Sequence, residues 1–235
     1  MRLKRKETKD ISIVMPCLNE LQSVGYCVRT ALDFFESRNL KGEVIVVDNG
    51  STDGSVGEAV YNGALVLREK TRGYGAAIRK GLRYSSGRVV VIGDCDTTYD
   101  FSKLDYFYDM IVAGNCDMVI GNRFAGGIEK GAMPISHNIG VRMLSKFGRM
   151  SFDTDVYDFH CGLRSISREA LEKAEYKTIG MEFATEMIAE AERKNFVVGQ
   201  VPVTLSVSKY ERVSKLKAFK DGMRHLGFIV HKGRI

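Results

Sequence analysis

The chain reads as an α/β protein in which a mostly parallel sheet is sandwiched by helices and a C-terminal amphipathic helix closes the sequence. Three observations lead there. Short β-rich apolar runs alternate with segments of helical period over the first two thirds of the chain. The residues that follow those runs are polar and distinctive rather than generic loop residues. The 235 residues, with 44% hydrophobic and 27% charged side chains, are enough to bury one large core.

Strands are expected at residues 11–15, 43–48, 64–68, 88–93 and 117–121. Between them, residues 20–36 place Val24, Cys27, Val28, Ala31, Leu32 and Phe35 on one helical face, and residues 74–84 and 102–113 carry similar stripes. Ser102, three residues before Asp105, resembles a helix start whose hydroxyl accepts an orphan amide. After Gly121 come a glycine-rich loop (Gly126, Gly127, Gly131), a basic amphipathic segment at 135–150, a helix at 180–194 and a strand at 196–203. In the last segment, 214–230, Leu216, Phe219, Met223, Leu226 and Val230 recur at helical spacing among Lys215, Lys217, Lys220 and Arg224. No internal repeat or linker interrupts the pattern, so residues 1–235 are expected to form a single domain, with 1–10 a basic arm and 209–235 a basic amphipathic segment.

Composition removes several classes. No low-complexity tract supports disorder, and no uncharged apolar stretch approaches the roughly 20 residues that span a bilayer. MRLKRKETKD lacks the apolar core of a signal peptide, so a cytoplasmic location is expected. Cys17, Cys27, Cys95, Cys116 and Cys161 are odd in number and show no C-x-x-C spacing, which fits reduced thiols and leaves any metal to oxygen ligands. The net charge is +6, and residues 209–235 alone hold eight Lys/Arg against Glu211 and Asp221. That asymmetry suggests an anionic partner, either a membrane surface or a phosphate-bearing ligand, or else a plain solvated face.

In an open parallel sheet, ligands bind where the strands end. The first strand runs into Pro16-Cys17-Leu18-Asn19-Glu20, the second into Asp48-Asn49-Gly50-Ser51-Thr52-Asp53-Gly54, and the fourth into Asp94-Cys95-Asp96. The first of these turns has no glycine, and G-x-x-x-x-G-K-[ST] occurs nowhere, so a nicotinamide or P-loop site is not expected. A bound diphosphate would need neutralising by other means. Asp94 and Asp96 suit Mg²⁺ or Mn²⁺, hard cations that take carboxylate and phosphate oxygens, although most lone D-x-D pairs are turn or helix-cap carboxylates.

The ordered set of motifs says more than any one of them. ISIVMPCLNE, VIVVDNGSTDGS, RGYGAAIRKG, VVVIGDCDTTYDF and MVIGNRFAGG together closely resemble family 2 glycosyltransferases of the GT-A fold, a Rossmann-like architecture. GAMP, DFHCGLR, GMEFATEM and SKL followed by DGMRHLGF are similar to the polyprenyl-phosphate branch, which includes dolichol-phosphate mannose and glucose synthases. The resemblance runs from about residue 11 to 228. It departs from the family at Cys95, where many relatives have a small residue such as Ala, and in showing no transmembrane helices after the domain.

The resemblance implies roles position by position. Pro16 and Glu20 match residues that contact base and ribose, Asp48 the carboxylate that reads the base, and Gly73 the loop over the nucleotide. Asp94 and Asp96 match the metal-binding D-x-D. The implied activity is metal-dependent, inverting transfer of a hexose from a nucleotide diphosphate sugar to a polyprenyl (dolichyl or undecaprenyl) phosphate, peripherally on the cytosolic face of an anionic membrane. UDP-glucose is the first donor choice and GDP-mannose the second.

A lipid monophosphate, with a second pKa of about 6, is already a nucleophile, so its site needs cations more than a base. Arg123, Arg164, Arg212 and Lys215 are the candidates for cradling it. Asp158 is a base, an orienter of an arginine or a cap, and His160 can assist it. Glu182 and Glu186, four apart on a helix, form either a polar wall of the acceptor site or a solvated face. Transfer to a saccharide hydroxyl is the alternative and would need Asp158 or another carboxylate as base. A nucleic-acid-binding role is disfavoured by the carboxylates at the cleft and the absence of a recognition motif.

Overall fold

The computed structural model describes residues 9–210 and 218–231. Seven strands form one sheet: β1 (Lys9–Cys17), β2 (Gly42–Asp48), β3 (Leu65–Arg68), β4 (Gly87–Ile92), β5 (Met118–Asn122), β6 (Arg164–Ser167) and β7 (Val198–Pro202), in the spatial order β3-β2-β1-β4-β6-β5-β7. The helices among the described residues are α1 (Leu21–Ser37), α2 (Ser55–Tyr61), α3 (Tyr74–Tyr84), α4 (Asp105–Val112), α5 (Arg123–Gly126), α6 (Ile135–Phe152), α7 (Arg168–Lys173), α8 (Phe183–Arg193) and α9 (Ala218–Val230).

The core lies along β1, β2 and β4. Val14 pairs with Ile45 on one side and with Ile92 on the other, both in parallel register. Ile13, Val14, Met15, Ile45, Val47, Val90 and Val91 are completely buried. Strands covered on both faces read as continuous apolar runs, which is why these three were legible without alternation. α1 buries Val24, Cys27, Val28, Ala31, Phe34 and Phe35, so its predicted stripe is a core stripe.

Several expectations need correction. β6 was not anticipated, because its four residues Arg-Ser-Ile-Ser carry no apolar run, yet it sits between β4 and β5 and is antiparallel to both. Its polar groups are satisfied inside, with Ser165 Oγ donating to the Phe107 carbonyl at 2.8 Å. The short helices α2, α5 and α7 were also missed. Ser102 does not cap α4, which starts at Asp105 after Leu104; its hydroxyl instead donates to Asp100 Oδ1 at 2.6 Å. Residues 9 and 10 are not a free arm, since they open β1 and Asp10 Oδ2 accepts from the Lys41 amide at 2.8 Å. The helix expected from residue 180 begins at Phe183.

α9 differs in its face. Asp221, His225, Phe228 and Ile229 are buried, whereas Met223 and Val230 of the predicted stripe are exposed. Leu216, Lys217, Arg212 and Lys215 lie outside the described residues.

Candidate active site

The ends of β1, β2 and β4 bring three loops to one edge, at the point where the chain crosses from the β2 side of β1 to the β4 side. The first two loops are laced together. Asn19 donates its amide to Ser51 Oγ at 2.9 Å and accepts from Thr52 N at 2.8 Å, Glu20 N donates to Ser55 Oγ at 2.8 Å, and Leu21 N donates to Asp53 Oδ2 at 3.1 Å. α1 has no cap of its own; Asp53 and Ser55 supply acceptors for its first amides from the neighbouring loop.

Each predicted donor residue can now be placed. The Pro16 carbonyl accepts from the Cys95 thiol at 3.2 Å, which ties the first loop to the middle of the D-x-D. Glu20 Oε2 accepts from Ser23 Oγ at 3.2 Å. Asp48 is buried; one oxygen accepts from Ser51 N at 2.8 Å and the other lies 3.9 Å from Arg68 Nε. Gly73 has φ +146°, and a Cβ there would collide with the Ile179 carbonyl, so only glycine fits. Its amide donates to Asn49 Oδ1 at 2.8 Å, while Asn49 Nδ2 donates to the carbonyls of Glu69 and Thr71. Asn49 thus joins the second loop to the RGYG loop, a role the sequence reading did not assign.

The carboxylates of Asp94 and Asp96 are held differently. Asp96 Oδ1 accepts from the amide and hydroxyl of Thr98, at 3.0 and 2.5 Å. Asp94 Oδ2 lies 2.5 Å from where a Cβ on Gly162 would stand, so the absent side chain leaves the space that this carboxylate uses. Burial and the Asp94 carboxylate together push the Tyr74 hydroxyl well above the usual tyrosine range, so it stays protonated beside Asp94. Among the described residues, no three His, Cys, Asp or Glu side chains converge as a metal cluster. Asp94 and Asp96 offer two hard carboxylates on one loop. That fits Mg²⁺ or Mn²⁺, which complete their shells with substrate phosphates and water, and does not fit a fully protein-ligated ion.

Thr97 is the strained residue of this loop, with φ +65° on a β-branched side chain. The chain after β7 holds it. Lys209 N donates to Thr97 Oγ1 at 2.9 Å, Ser208 Oγ donates to the Asp96 carbonyl at 2.7 Å, and Ser206 N donates to the Thr98 carbonyl at 3.0 Å. The Lys209 ammonium rests 3.9 Å over the Tyr26 ring on α1. These contacts span more than a hundred residues of sequence, and no local motif announces them.

On the other side of the edge, Arg123 and Asp158 form a buried bidentate pair: Nε to Oδ2 at 2.7 Å and Nη2 to Oδ1 at 2.8 Å, with the Arg123 amide also donating to Oδ2 at 3.1 Å. Asp158 thus holds Arg123 through both of its carboxylate oxygens. The expectation that Arg164 cradles a phosphate is corrected: it is 2% exposed and donates to the carbonyls of Cys161, Phe159 and Ala184, so its charge is spent on crossing the core. Glu186 is corrected likewise, accepting from Lys177 N, Thr178 N and Thr178 Oγ1. Glu182 accepts from Gly180 N and faces Arg224 Nε at 3.2 Å.

His160 is half-buried, with Nδ1 3.4 Å from Ser145 Oγ and its ring 4.4 Å from that of His225 in an edge-on contact. His225 Nδ1 is 2.7 Å from Thr185 Oγ1. Burial pushes the His160 imidazole well below its ordinary value and that of His225 down to about 4, so both are neutral at physiological pH. His160 is thus a packed neutral ring behind the Arg123–Asp158 pair.

The comparisons with known proteins bear on this geometry. The family description "Glycosyl transferase family 2" matches residues 12–174. The low-salt glycan biosynthesis hexosyltransferase Agl6 of Haloferax volcanii is 37% identical over 94% of this chain; the chain spans only 53% of that protein's length. A dolichyl-phosphate hexose transferase of the same organism is 29% identical, covering 91% of this chain and 89% of that one. Among solved structures, glucosyl-3-phosphoglycerate synthase of Mycobacterium tuberculosis superposes with a TM-score of 0.77 at 20% identity, over 97% of this chain and 81% of that one. That likeness speaks for the fold alone, and the fold is the GT-A arrangement expected. With the family match covering well over half of its residues and both carboxylate loops at the predicted edge, this chain belongs to glycosyl transferase family 2.

Proposed function

We propose that this chain is a hexosyltransferase that moves a sugar, with inversion, from a nucleotide diphosphate sugar to a polyprenyl phosphate at the cytosolic surface of a membrane, UDP-glucose being the first donor choice and GDP-mannose the second. The observation that carries the acceptor choice is the state of Asp158. Its side chain is completely buried and it accepts three hydrogen bonds from Arg123, so it has little capacity left to take a proton from a sugar hydroxyl. A phosphate dianion needs no such base. Arg123, aligned by Asp158 through Nε and Nη2, is the cation assigned to that phosphate.

On the donor side, Pro16, Glu20, Asp48 and Gly73 border the nucleotide. Asp94 and Asp96 would hold Mg²⁺ or Mn²⁺, which when bound offsets the charge of the diphosphate as it leaves. Supporting this reading, the M. tuberculosis synthase has been solved with UDP and Mg²⁺, at a TM-score of 0.76 and 19% identity, and a Haloferax relative carries a dolichyl-phosphate hexose transferase name. Arg212 and Lys215 remain candidates for the acceptor but lie outside the described residues.

The test is turnover of radiolabelled nucleotide sugars with undecaprenyl and dolichyl phosphate, reading the lipid-linked product by chromatography. Transfer only to saccharide hydroxyls would overturn the acceptor assignment.

A further inference from the structure

Away from the sheet edge, the C-terminal half of α3, the helix α7 and the segment after it border a cavity of about 350 Å³. Three guanidiniums line it: Arg79 and Arg83, four apart and so on one face of α3, and Arg168 at the start of α7. Leu82, Leu171 and Tyr176 make up most of the remaining wall. From Tyr74 to Arg83 is roughly 14 Å along the helix, so the cavity lies apart from the RGYG loop at the other end of α3. Its size is in the range that small-molecule sites occupy.

Among the described residues, none of these three arginines forms an ion pair. Arg79 Nη1 donates to the Lys177 carbonyl at 2.6 Å, and Arg168 donates through Nε and Nη2 to the Gly87 carbonyl and through Nη2 to Ser85 Oγ. These contacts anchor the two half-buried side chains and leave Arg79 Nε and Nη2 and Arg168 Nη1 unspent. Arg83 is exposed and makes no side-chain hydrogen bond to a described residue. Tyr176 has a buried hydroxyl with no hydrogen-bond partner among the described residues. Burial lowers the Arg168 guanidinium from its ordinary value, a cost that a bound anion would offset. A single arginine in the last turn of a helix is favourable by itself, but that does not account for three converging on one concavity. Glu172 is the one carboxylate among the lining residues, which leaves an excess of two positive charges. The carbonyl end of α3 opposes them by roughly half a charge, too little to cancel the excess.

We propose that this cavity is a second anion site, separate from the donor site, and that it takes the dianion of a small phosphate monoester. The excess of two positive charges matches such a monoester above its second pKa of about 6. Guanidiniums suit it because their planar forks pair bidentately with phosphate oxygens. Leu82, Leu171 and Tyr176 give the esterified group an apolar wall that free phosphate has no means to use. The site does not depend on the polyprenyl-phosphate reading.

Isothermal titration calorimetry with phenyl phosphate tests it, in chelator so that no metal carries the phosphate to Asp94 and Asp96. The parent chain is expected to bind saturably, and more tightly than it binds inorganic phosphate. Arg83→Glu, at an exposed position outside the donor and acceptor loops, should lose roughly tenfold or more in affinity, and Arg83→Lys, which keeps the charge but not the planar fork, should fall between the two. Arg83→Glu should keep the parent's thermal shift with UDP and Mn²⁺, which shows that it is folded with its donor loops in place. Absence of saturable binding by the parent overturns the proposal. So does phenyl phosphate binding that Arg83→Glu leaves unchanged, since the anion would then sit elsewhere, as at Arg123. Inorganic phosphate bound as tightly as phenyl phosphate overturns the assignment to a monoester, because the apolar wall would then contribute nothing.

Discussion

The two flanks of the site are built on opposite principles. On the donor flank, the loops after β1, β2 and β4 are laced by short polar contacts such as Asn19 with Ser51 and Thr52, and Asn49 with Gly73. They keep their carboxylates at the sheet edge. On the proposed acceptor flank the charged groups are held by side chains and carbonyls rather than by loop amides: Arg123 by Asp158, Arg164 among carbonyls, with a neutral histidine pair between helices. The same flank exposes apolar side chains on α6. Under the proposed function, a nucleotide would meet a prearranged polar rim on the first flank and a lipid-borne phosphate an arginine set behind the surface on the second. Substitutions should therefore separate the flanks, with donor changes reading out in chemistry and nucleotide binding, and acceptor changes in folding and acceptor KM.

The largest effect is expected from Asp96→Asn. The amide oxygen can still accept from Thr98, so the fold survives, but the charge is gone. Turnover should fall by on the order of a thousandfold, with UDP affinity losing its dependence on Mn²⁺, as calorimetry would read. Near-normal turnover would remove the D-x-D from the mechanism.

Asp158→Asn should act through stability and the acceptor. Leaving the Arg123 charge buried without its partner costs about 3 to 5 kcal/mol in urea unfolding. In the folded fraction, acceptor KM should rise while UDP binding is kept. A collapse of kcat with acceptor KM unchanged would restore Asp158 as a base.

The histidine pair gives a pH signature on the same flank. Burial, with Arg164 and Arg224 nearby, lowers the folded pKa of His225 to about 4. Folding then favours the neutral ring, so its stability contribution is complete above the ordinary pKa of about 6.5 and is lost as pH falls from there towards 4, roughly 3 kcal/mol in all. His225→Phe should flatten the slope of Tm against pH over that window. An unchanged slope would mean that His225 is not the group responsible.

The smallest effect concerns base choice. On the proposed donor reading, Asp48 accepts from a ring N–H that uracil and guanine carry and that adenine and cytosine lack. Losing one hydrogen bond to a buried carboxylate costs about 1 to 3 kcal/mol, so ADP- and CDP-sugars should be at least about tenfold poorer donors. Equal use of ADP-glucose would take the role from Asp48.

The donor flank was legible because its information is local. Apolar runs such as Val44–Val47 end directly in Asp48, and the first three loops each follow a strand that hydropathy reveals. The acceptor flank was not, because its elements are polar where they are buried and apolar where they are exposed. Arg-Ser-Ile-Ser does not look like an inner strand, Arg164 does not look like a core residue, and the residues of α6 that pattern reasoning would send inward face out. Ser208 and Lys209 were invisible for another reason: their partners Asp96 and Thr97 are 112 residues away.

β6 also bears on how the chain is made. Among the described residues it alone joins β4 to β5, so the sheet of β1–β4 can assemble from successive βα units while β5 lies without a strand partner until β6 is made, and β7 then adds to β5. During synthesis the N-terminal half is complete long before the strand that joins it to the rest. Folding should accordingly proceed in two stages, local units first and the non-local closure last, because bringing distant segments together carries the larger entropic cost. A nascent chain halted before residue 164 would carry a formed donor half and a C-terminal stretch exposed to chaperones and proteases.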